Sequence, residues 1–259
     1  MTAELLEIAE EAARAAGELL LERFHKKAKG VDSKSTPTDL VSDADRDSES
    51  LLIDLILKAR PGDGILSEEG GREGSESGIT WVIDPLDGTV NFLFGIPWWC
   101  VSVAAEDEDG GLVGVVHDPV RGETFTGARG NGASANGEAI HVTGRTELDR
   151  ALIGTGFAYD ARARAVQAEI VSRVLPRARD IRRAGSAALD LASLACGRLD
   201  GFYEAPMERW DKAAGVLIVQ EAGGTVSELE APYGLSPGVI AGNPTLHDHL
   251  RALVLETRS

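Results

Sequence analysis

Trp81-Val82-Ile83-Asp84-Pro85-Leu86-Asp87-Gly88-Thr89-Val90-Asn91-Phe92 is the most informative segment of this 259-residue chain. Its three leading apolar residues predict a buried strand. Because proline cannot donate a ladder hydrogen bond, we expect this strand to end at Asp84 and Pro85, with the carboxylate of Asp84 at its carboxyl edge.

The acids of this segment have the spacing of a cation site. Asp87 follows Asp84 by three residues, close enough to share a cation, and the backbone carbonyl of Leu86 between them is a third oxygen ligand. Oxygen-only ligation suits Mg²⁺. Gly88 and Thr89 can begin a helical turn whose N–H groups receive a phosphate. The alternative is a strand-to-helix turn in which the acids only cap N–H groups.

Three further acids stand at the ends of other predicted elements. Glu68 closes the preceding strand, Asp211 opens a late helix after Trp210, and Asp45 lies in an early loop. Each acid alone is ordinarily a solvated carboxylate or a helix cap. Several carboxylates brought to one place require cations, because adjacent negative charges repel one another.

The hydrophobic pattern around this segment predicts alternating helices and strands. Amphipathic periodicity predicts helices over residues 3–25 and from about Asp45 to Lys58, and short apolar runs after Gly64 predict an antiparallel meander. Beyond residue 150, strands alternate with helices over 161–175, 187–195 and 210–221, and with a last helix from Pro244. Mixed strands with helices on their faces indicate a layered α/β or α+β fold.

The composition excludes several classes of protein. The chain has 42 acidic and 26 basic residues and a formal net charge of -16, which argues against nucleic-acid binding. No apolar run reaches the length of a membrane helix, and the acidic amino terminus does not resemble a signal peptide. Cys100 and Cys196 lack a CxxC spacing and are expected to be buried free thiols. We therefore expect a cytoplasmic protein without a membrane partner.

The chain resembles the inositol monophosphatase family over essentially its whole length. The resemblance rests on strings that occur in the family's order and spacing: KSTPTDLVSDAD, SEEGG, WVIDPLDGTVNF, GIPWWCVSVA, IRRAGSAALDLA and YEAPMERWDKAAGVLIVQEAGG. It implies a layered αβαβα sandwich like that of fructose-1,6-bisphosphatase. It also implies one domain over 1–259, with a metal-binding half over about 1–145 and a substrate-pocket half over 146–259.

The resemblance further implies a Mg²⁺-dependent, lithium-sensitive phosphatase with two to three ions. Glu68, Asp84 and the carbonyl of Leu86 would hold the first ion, and Asp84, Asp87 and Asp211 the second. A weaker third ion is expected near Glu68, reached through water, and Glu68 would be catalytic together with Asp45 and Thr89. Asp45 and Thr89 would orient and deprotonate the attacking water, beside a loop that carries Lys34, Ser35 and Thr36.

The resemblance places the substrate against a defined set of residues, namely Asp87, Gly88, Thr89, Ser186, Ala187, Glu204 and Asp211. Glu204 would bind sugar hydroxyls, or be an exposed acid. Ser186 would line the pocket, cap a helix, or do both.

Several substrates remain open at this point. The segment Thr89-Val90-Asn91-Phe92 resembles the inositol branch of the family and favours inositol 1-phosphate. Arg182 and Arg183 could instead clamp the second phosphate of fructose 1,6-bisphosphate, or pair with surface acids. Histidinol phosphate is a third possibility. A role as a regulatory partner of the transcription machinery is the non-enzymatic alternative, and a homodimer is expected from the resemblance.

Overall fold

In a computed structural model, the chain is described over residues 1–24, 32–33, 40–41, 43–68, 70, 74–230 and 234–256. Lys34, Ser35 and Thr36 lie outside these residues. The described part forms seven α-helices, in chain order α1 (Thr2–Phe24), α2 (Asp43–Ala59), α3 (Thr89–Leu93), α4 (Ala161–Val174), α5 (Ala187–Ala195), α6 (Arg209–Glu221) and α7 (Pro244–Leu255). None of the helices in this part of the chain combines the length and apolarity needed to cross a membrane.

The strands in the described part of the chain form one short antiparallel pair and two larger sheets. The pair is β1 (Asp32–Ser33) and β2 (Leu40–Val41). The first large sheet contains, in spatial order, β3 (Gly64–Ser67), β4 (Thr80–Asp87), β5 (Cys100–Asp107), β6 (Gly110–Asp118), β7 (Glu123–Ala128), β8 (Gly132–Ala135) and β9 (Glu138–Ala139). Only the β3–β4 pair of this seven-stranded sheet is parallel.

The second large sheet has five strands and a mixed topology. Its members along the chain are β10 (Leu152–Thr155), β11 (Asp180–Arg182), β12 (Gly201–Glu204), β13 (Thr225–Leu229) and β14 (Gly238–Gly242). Their spatial order is β11-β10-β12-β14-β13. Strand β10 runs parallel to both of its neighbours, whereas β14 is antiparallel to β12 and β13.

Helices cover both faces of both large sheets. Helices α1 and α2 share one hydrophobic core with the outer face of the seven-stranded sheet. Helices α5 and α6 lie between the two sheets, and α4 and α7 cover the outer face of the five-stranded sheet. Along β5, Val101 and Val103 face the first core while Cys100 and Ala104 face the second, as the two-residue period of a strand requires. The layered αβαβα sandwich is thus confirmed.

Two glycines of the seven-stranded sheet bring α6 unusually close to it. A methyl group at Gly114 would lie 2.8 Å from the carbonyl oxygen of Ala214, and one at Gly127 would lie 3.0 Å from the Cα of Ile218. Because any side chain here would collide with backbone, these glycines let α6 rest directly on the sheet. This contact fixes the position of the first turn of α6, which carries Asp211.

Most sequence predictions of elements are confirmed, including the antiparallel meander β5–β6–β7 and the helices after residue 150. Cys100 and Cys196 are free thiols, as predicted, with Cys100 buried and Cys196 half-buried. The placement of Asp45 in a loop is wrong. The residue lies in the first turn of α2, which begins at Asp43, and its side chain is buried.

Candidate active site

Asp84 and Asp87, the two acids of the segment from Trp81 to Phe92, flank a bulge in β4. Asp84 pairs with Ser102 of β5, but Asp87 pairs with Cys100, so three steps along β4 oppose two along β5. The predicted strand end at Asp84 is therefore wrong, since the strand continues to Asp87. Pro85 is tolerated because a bulge does not require every residue to donate to the ladder.

Directly after this bulge, the chain turns sharply into the short helix α3. Gly88 has φ of 100°, in the left-handed region that favours glycine. The hydroxyl of Thr89, the next residue, lies 3.0 Å from Oδ1 of Asp45 and 3.0 Å from the carbonyl oxygen of Leu86. A hydroxyl carries one proton and donates to one of these acceptors at a time. The structure thus joins Asp45 and Thr89 into a buried pair.

Four carboxylates lie near one another beside this pair. Asp84 is only 2% exposed, and burial followed by the negative charges of Glu68, Asp87 and Asp211 raises its pKa well above the ordinary value. Burial likewise raises the pKa of Asp211 to about 8, with Asp87 the next cause. Among the described residues, no three acids, histidines or cysteines are already arranged as a closed metal cage. The donor set nevertheless fits a hard divalent cation, because it consists of carboxylates and backbone oxygens.

Asp87 is held in place from the layer of helices between the sheets. Its Oδ2 accepts hydrogen bonds from Oγ of Ser186 at 2.6 Å and from the backbone N–H of Ala188 at 2.7 Å. The Ser186 hydroxyl also accepts from the N–H of Leu189 as the N-cap of α5. Ser186 therefore caps α5, as one of the two sequence interpretations has it, and also holds Asp87.

Asp211 is oriented by its own helix. Its Oδ2 accepts from the backbone N–H of Glu208 at 2.7 Å, within a capping box at the start of α6. This bond fixes the side chain at the amino terminus of the helix, next to the other acids.

These elements enclose a cavity of about 460 Å³. Seven of the predicted site residues reach its wall: Glu68, Asp87, Gly88, Ser186, Ala187, Glu204 and Asp211. The others are buried without lining it: Asp45, Asp84, Leu86 and Thr89. The carboxyl group of Glu204 rests on Gly156, where any side chain would overlap it. Burial raises the pKa of Glu204 well above its ordinary value, and Asp211 and Asp190 add to the effect.

The cavity wall also contains residues that the sequence reasoning missed. Asp190 lines it from the first turn of α5, and Asp160, the N-cap of α4, lines it as well. Asp190 is the one charged residue in the helix sequence AALDLASLA, and this lone acid was the available signal.

Both neighbouring arginines are exposed, Arg182 at the end of β11 and Arg183 directly after it. Arg183 lines the cavity, whereas Arg182 does not, and its Nη1 donates to Oδ2 of Asp180 at 2.7 Å. The two guanidinium groups therefore do not form a joint clamp in the cavity.

Comparison with known proteins places the whole chain in one family. The model of the inositol monophosphatase family matches residues 1–259. The Nus factor SuhB of Escherichia coli K12 is 41% identical over 244 residues, covering 93% of this chain and 91% of that protein. An inositol-1-monophosphatase of Mycobacterium leprae is 44% identical over 233 residues, covering 86% and 80% respectively.

A solved structure agrees with these sequence matches. The extragenic suppressor protein suhB of Bartonella henselae superposes with a TM-score of 0.90 at 35% identity, covering 98% of this chain and 99% of that one. The resemblance inferred from the motifs is confirmed: the chain belongs to the inositol monophosphatase family.

Proposed function

We propose that this protein hydrolyses the phosphate monoester of inositol, most specifically inositol 1-phosphate, in a Mg²⁺-dependent reaction. The observation that carries the proposal is the convergence of Glu68, Asp84, Asp87 and Asp211 beside the hydrogen-bonded pair of Asp45 and Thr89. The mycobacterial relative named inositol-1-monophosphatase supports this substrate.

Two to three Mg²⁺ ions would be held by Glu68, Asp84, the carbonyl of Leu86, Asp87 and Asp211. When bound, such ions neutralise the phosphoryl oxygens and lower the pKa of a water molecule.

The chain's own residues supply the proton transfer. The Thr89 hydroxyl accepts the proton of the attacking water as it passes its own proton to Asp45, 3.0 Å away. A threonine alone is too weak a base, so the buried carboxylate of Asp45 is needed to receive the charge. The N–H groups of Gly88 and Thr89 would hold phosphate oxygens, because Gly88 turns the backbone into α3 at this point.

The leaving group would occupy the end of the cavity lined by Ala187 and Glu204. Glu204 would accept hydrogen bonds from its hydroxyl groups. A second phosphate group is disfavoured there, because Arg183 is the one basic residue among the described lining residues and Asp160 and Glu204 are both acidic. The charge balance thus favours inositol 1-phosphate over fructose 1,6-bisphosphate.

The experiment is an assay of phosphate release with Mg²⁺ and with a chelator. Substrates are inositol 1-phosphate, fructose 1,6-bisphosphate, histidinol phosphate and 3′-phosphoadenosine 5′-phosphate. We expect turnover of inositol 1-phosphate only with Mg²⁺, and no turnover by Asp87→Asn or Asp211→Asn, both still folded. Glu169→Gln, which removes an exposed acid from α4, is the matched control with full activity. Wild-type activity in either site variant would contradict the metal assignment.

A role in transcription is a second candidate, favoured by relatives named Nus factor SuhB at 41% and 42% identity. We propose that this role would use the protein surface rather than the cavity. Binding of the purified protein to RNA polymerase carrying its Nus factors can be measured by interferometry. Asp87→Asn should then bind as the wild type does, and absence of binding by the wild type would exclude this role.

We also propose a homodimer, in keeping with two exposed apolar side chains on the loop after α3. Phe94 is 73% exposed and Ile96 is 48% exposed, and burial against a second copy would remove this apolar surface from water. Light scattering should give twice the mass of one chain for the wild type and a lower mass for Phe94→Ser/Ile96→Ser. A monomeric wild type would contradict the proposal.

A further inference from the structure

Asp190 is a buried acid without a protein partner. It lies in the first turn of α5, only 2% exposed, and lines the cavity. In the described part of the chain its carboxyl group makes no hydrogen bond and no ion pair. A carboxyl group in the wall of a cavity that has no protein partner is open to hydrogen bonds from a molecule in that cavity.

Helix capping does not explain Asp190. Ser186 already caps α5 by accepting from the N–H of Leu189, and the N–H of Asp190 itself donates to the carbonyl of Ser186. The helix dipole gives an acid in the first turn only modest stabilisation. Burial and the negative charge of Asp87 raise the pKa of Asp190 well above its ordinary value, although Arg183 acts in the opposite direction. Asp190 is therefore not a helix cap, and its carboxyl group is available to a molecule in the cavity.

Glu204 lies in the wall of the same cavity as Asp190. Neither carboxyl group has a protein hydrogen bond among the described residues, and both line the same cavity. Asp190 faces the β10 residue Gly154, where a methyl group would lie 3.8 Å from its Cβ, and Glu204 covers Gly156. Gly156 follows β10 directly, and positions two residues apart in an extended chain are separated by about 7 Å. The two carboxyl groups can therefore reach different hydroxyls of one ring.

We propose that Asp190 is a substrate-binding residue that, together with Glu204, forms a hydroxyl-binding pair selecting a polyhydroxylated leaving group. The proposal rests on the proposed phosphatase function and adds the determinant of specificity. Each carboxyl group accepts a hydrogen bond from a hydroxyl of the leaving group. The same pair repels a second phosphate group, since its two acids outnumber the one guanidinium, that of Arg183, that the described residues place in the cavity wall.

The test compares Asp190→Asn with the surface control Glu169→Gln on two substrates. Inositol 1-phosphate presents hydroxyls to the pair, whereas p-nitrophenyl phosphate has none on its leaving group. Loss of a hydrogen bond to a charged group corresponds to about a 10- to 100-fold change. We expect kcat/KM of Asp190→Asn for inositol 1-phosphate to fall by that factor, mainly through KM, while p-nitrophenyl phosphate turnover stays within about twofold.

Turnover of fructose 1,6-bisphosphate measures how strongly Asp190 and Glu204 repel a second phosphate group. Its kcat/KM relative to inositol 1-phosphate should rise in Asp190→Asn and stay unchanged in Glu169→Gln. An equal loss on inositol 1-phosphate and p-nitrophenyl phosphate would overturn the proposal, because it would place the effect at the phosphate end of the cavity or in the fold. An unchanged kcat/KM of Asp190→Asn for inositol 1-phosphate would also overturn the proposal.

Calorimetric titration with myo-inositol separates this proposal from the phosphatase function. Wild type and Glu169→Gln should bind myo-inositol, and Asp190→Asn should bind it about 10-fold more weakly or less. If the wild type hydrolyses neither monoester, the phosphatase proposal fails while this titration still decides the role of Asp190. Equal binding by Asp190→Asn would refute the hydroxyl-binding pair. The melting temperature of Asp190→Asn, expected to equal or exceed that of the wild type, confirms folding.

Discussion

The hydroxyl of Thr89 is the group whose removal tests the proposed mechanism most directly. Replacing Thr89 by valine keeps the shape of the side chain and removes the oxygen that lies 3.0 Å from both Asp45 and the carbonyl of Leu86. Replacing it by serine keeps the oxygen. The pair of variants therefore separates loss of the hydroxyl from loss of packing.

Replacing Thr89 by valine should have two effects, one on stability and one on the rate of the reaction. A hydrogen bond to a charged group contributes about 1.5–3 kcal/mol, so Thr89→Val should lower the free energy of unfolding by about 2 kcal/mol. In a chain of this size that corresponds to a melting temperature lower by about 4–8 °C. Proton transfer by a positioned side chain contributes about 100- to 10,000-fold to the rate, and kcat should fall by that factor.

The assay is phosphate release from inositol 1-phosphate at saturating Mg²⁺, with thermal unfolding measured in parallel. Thr126→Val is the matched control, because Thr126 is also buried and its hydroxyl lies 2.8 Å from Oγ of Ser134, on β7 and β8. It should lose stability but keep kcat. If Thr89→Val keeps kcat within about tenfold of the wild type, or Thr89→Ser is as slow as Thr89→Val, proton transfer through Thr89 is refuted.

Three further predictions concern packing, pH and metal binding. Gly114→Ala should destabilise the protein by about 1–3 kcal/mol, because its methyl group would lie 2.8 Å from the Ala214 carbonyl oxygen. Gly144→Ala, in open space, should leave denaturant unfolding unchanged. Burial, with Arg14 second, lowers the pKa of His117 to about 4. The folded state thus favours the neutral form of the His117 ring. The contribution of this ring to the free energy of unfolding is fully present above about pH 6.5 and is lost as the pH falls towards 4. Between pH 7.5 and 4.5 this loss amounts to about 2–3 kcal/mol, and His117→Gln should abolish it; an unchanged pH dependence of urea unfolding in that variant would contradict the assignment. Mg²⁺ at about 100 times its Kd should raise the free energy of unfolding by about 2.7 kcal/mol, and a chelator should reverse the change.

The helices of the second half could be predicted from the sequence almost to the residue. The predicted helix over 161–175 is observed as Ala161–Val174, and that over 187–195 as Ala187–Ala195. Polar capping residues mark both starts: Asp160 and Ser186 accept hydrogen bonds from the first turns of these helices. Such signals are local, so a single sequence contains them.

The end of β4 could not be predicted in the same way. Pro85 argues against a continuing strand, yet pairing resumes at Asp87, opposite Cys100. A bulge depends on the partner strand β5, which the local sequence does not specify. The start of α2 was predicted at about Asp45 and is observed at Asp43, because helix boundaries judged from one sequence shift by one or two residues.

The residues of the candidate site likewise include some that the sequence predicts and one that it does not. The acids in the segment from Asp84 to Asp87 carry a recognisable spacing, and the structure brings them beside Glu68 and Asp211 as expected. Asp190 carries no such spacing. Its importance depends on which face of α5 meets the cavity, and this is set by the packing of α5 between the two sheets.

The contact between α6 and the glycines of the first sheet bears on how related chains can diverge. Because Gly114 and Gly127 leave no room for α6 to move inward, the helix that carries Asp211 is a fixed part of the frame. Asp190 of α5 lines the cavity without holding Asp87, and among the described residues no backbone contact of this kind fixes its side chain. New substrate preferences would therefore arise by exchange of single side chains at such positions, with the hydrolytic centre inherited unchanged.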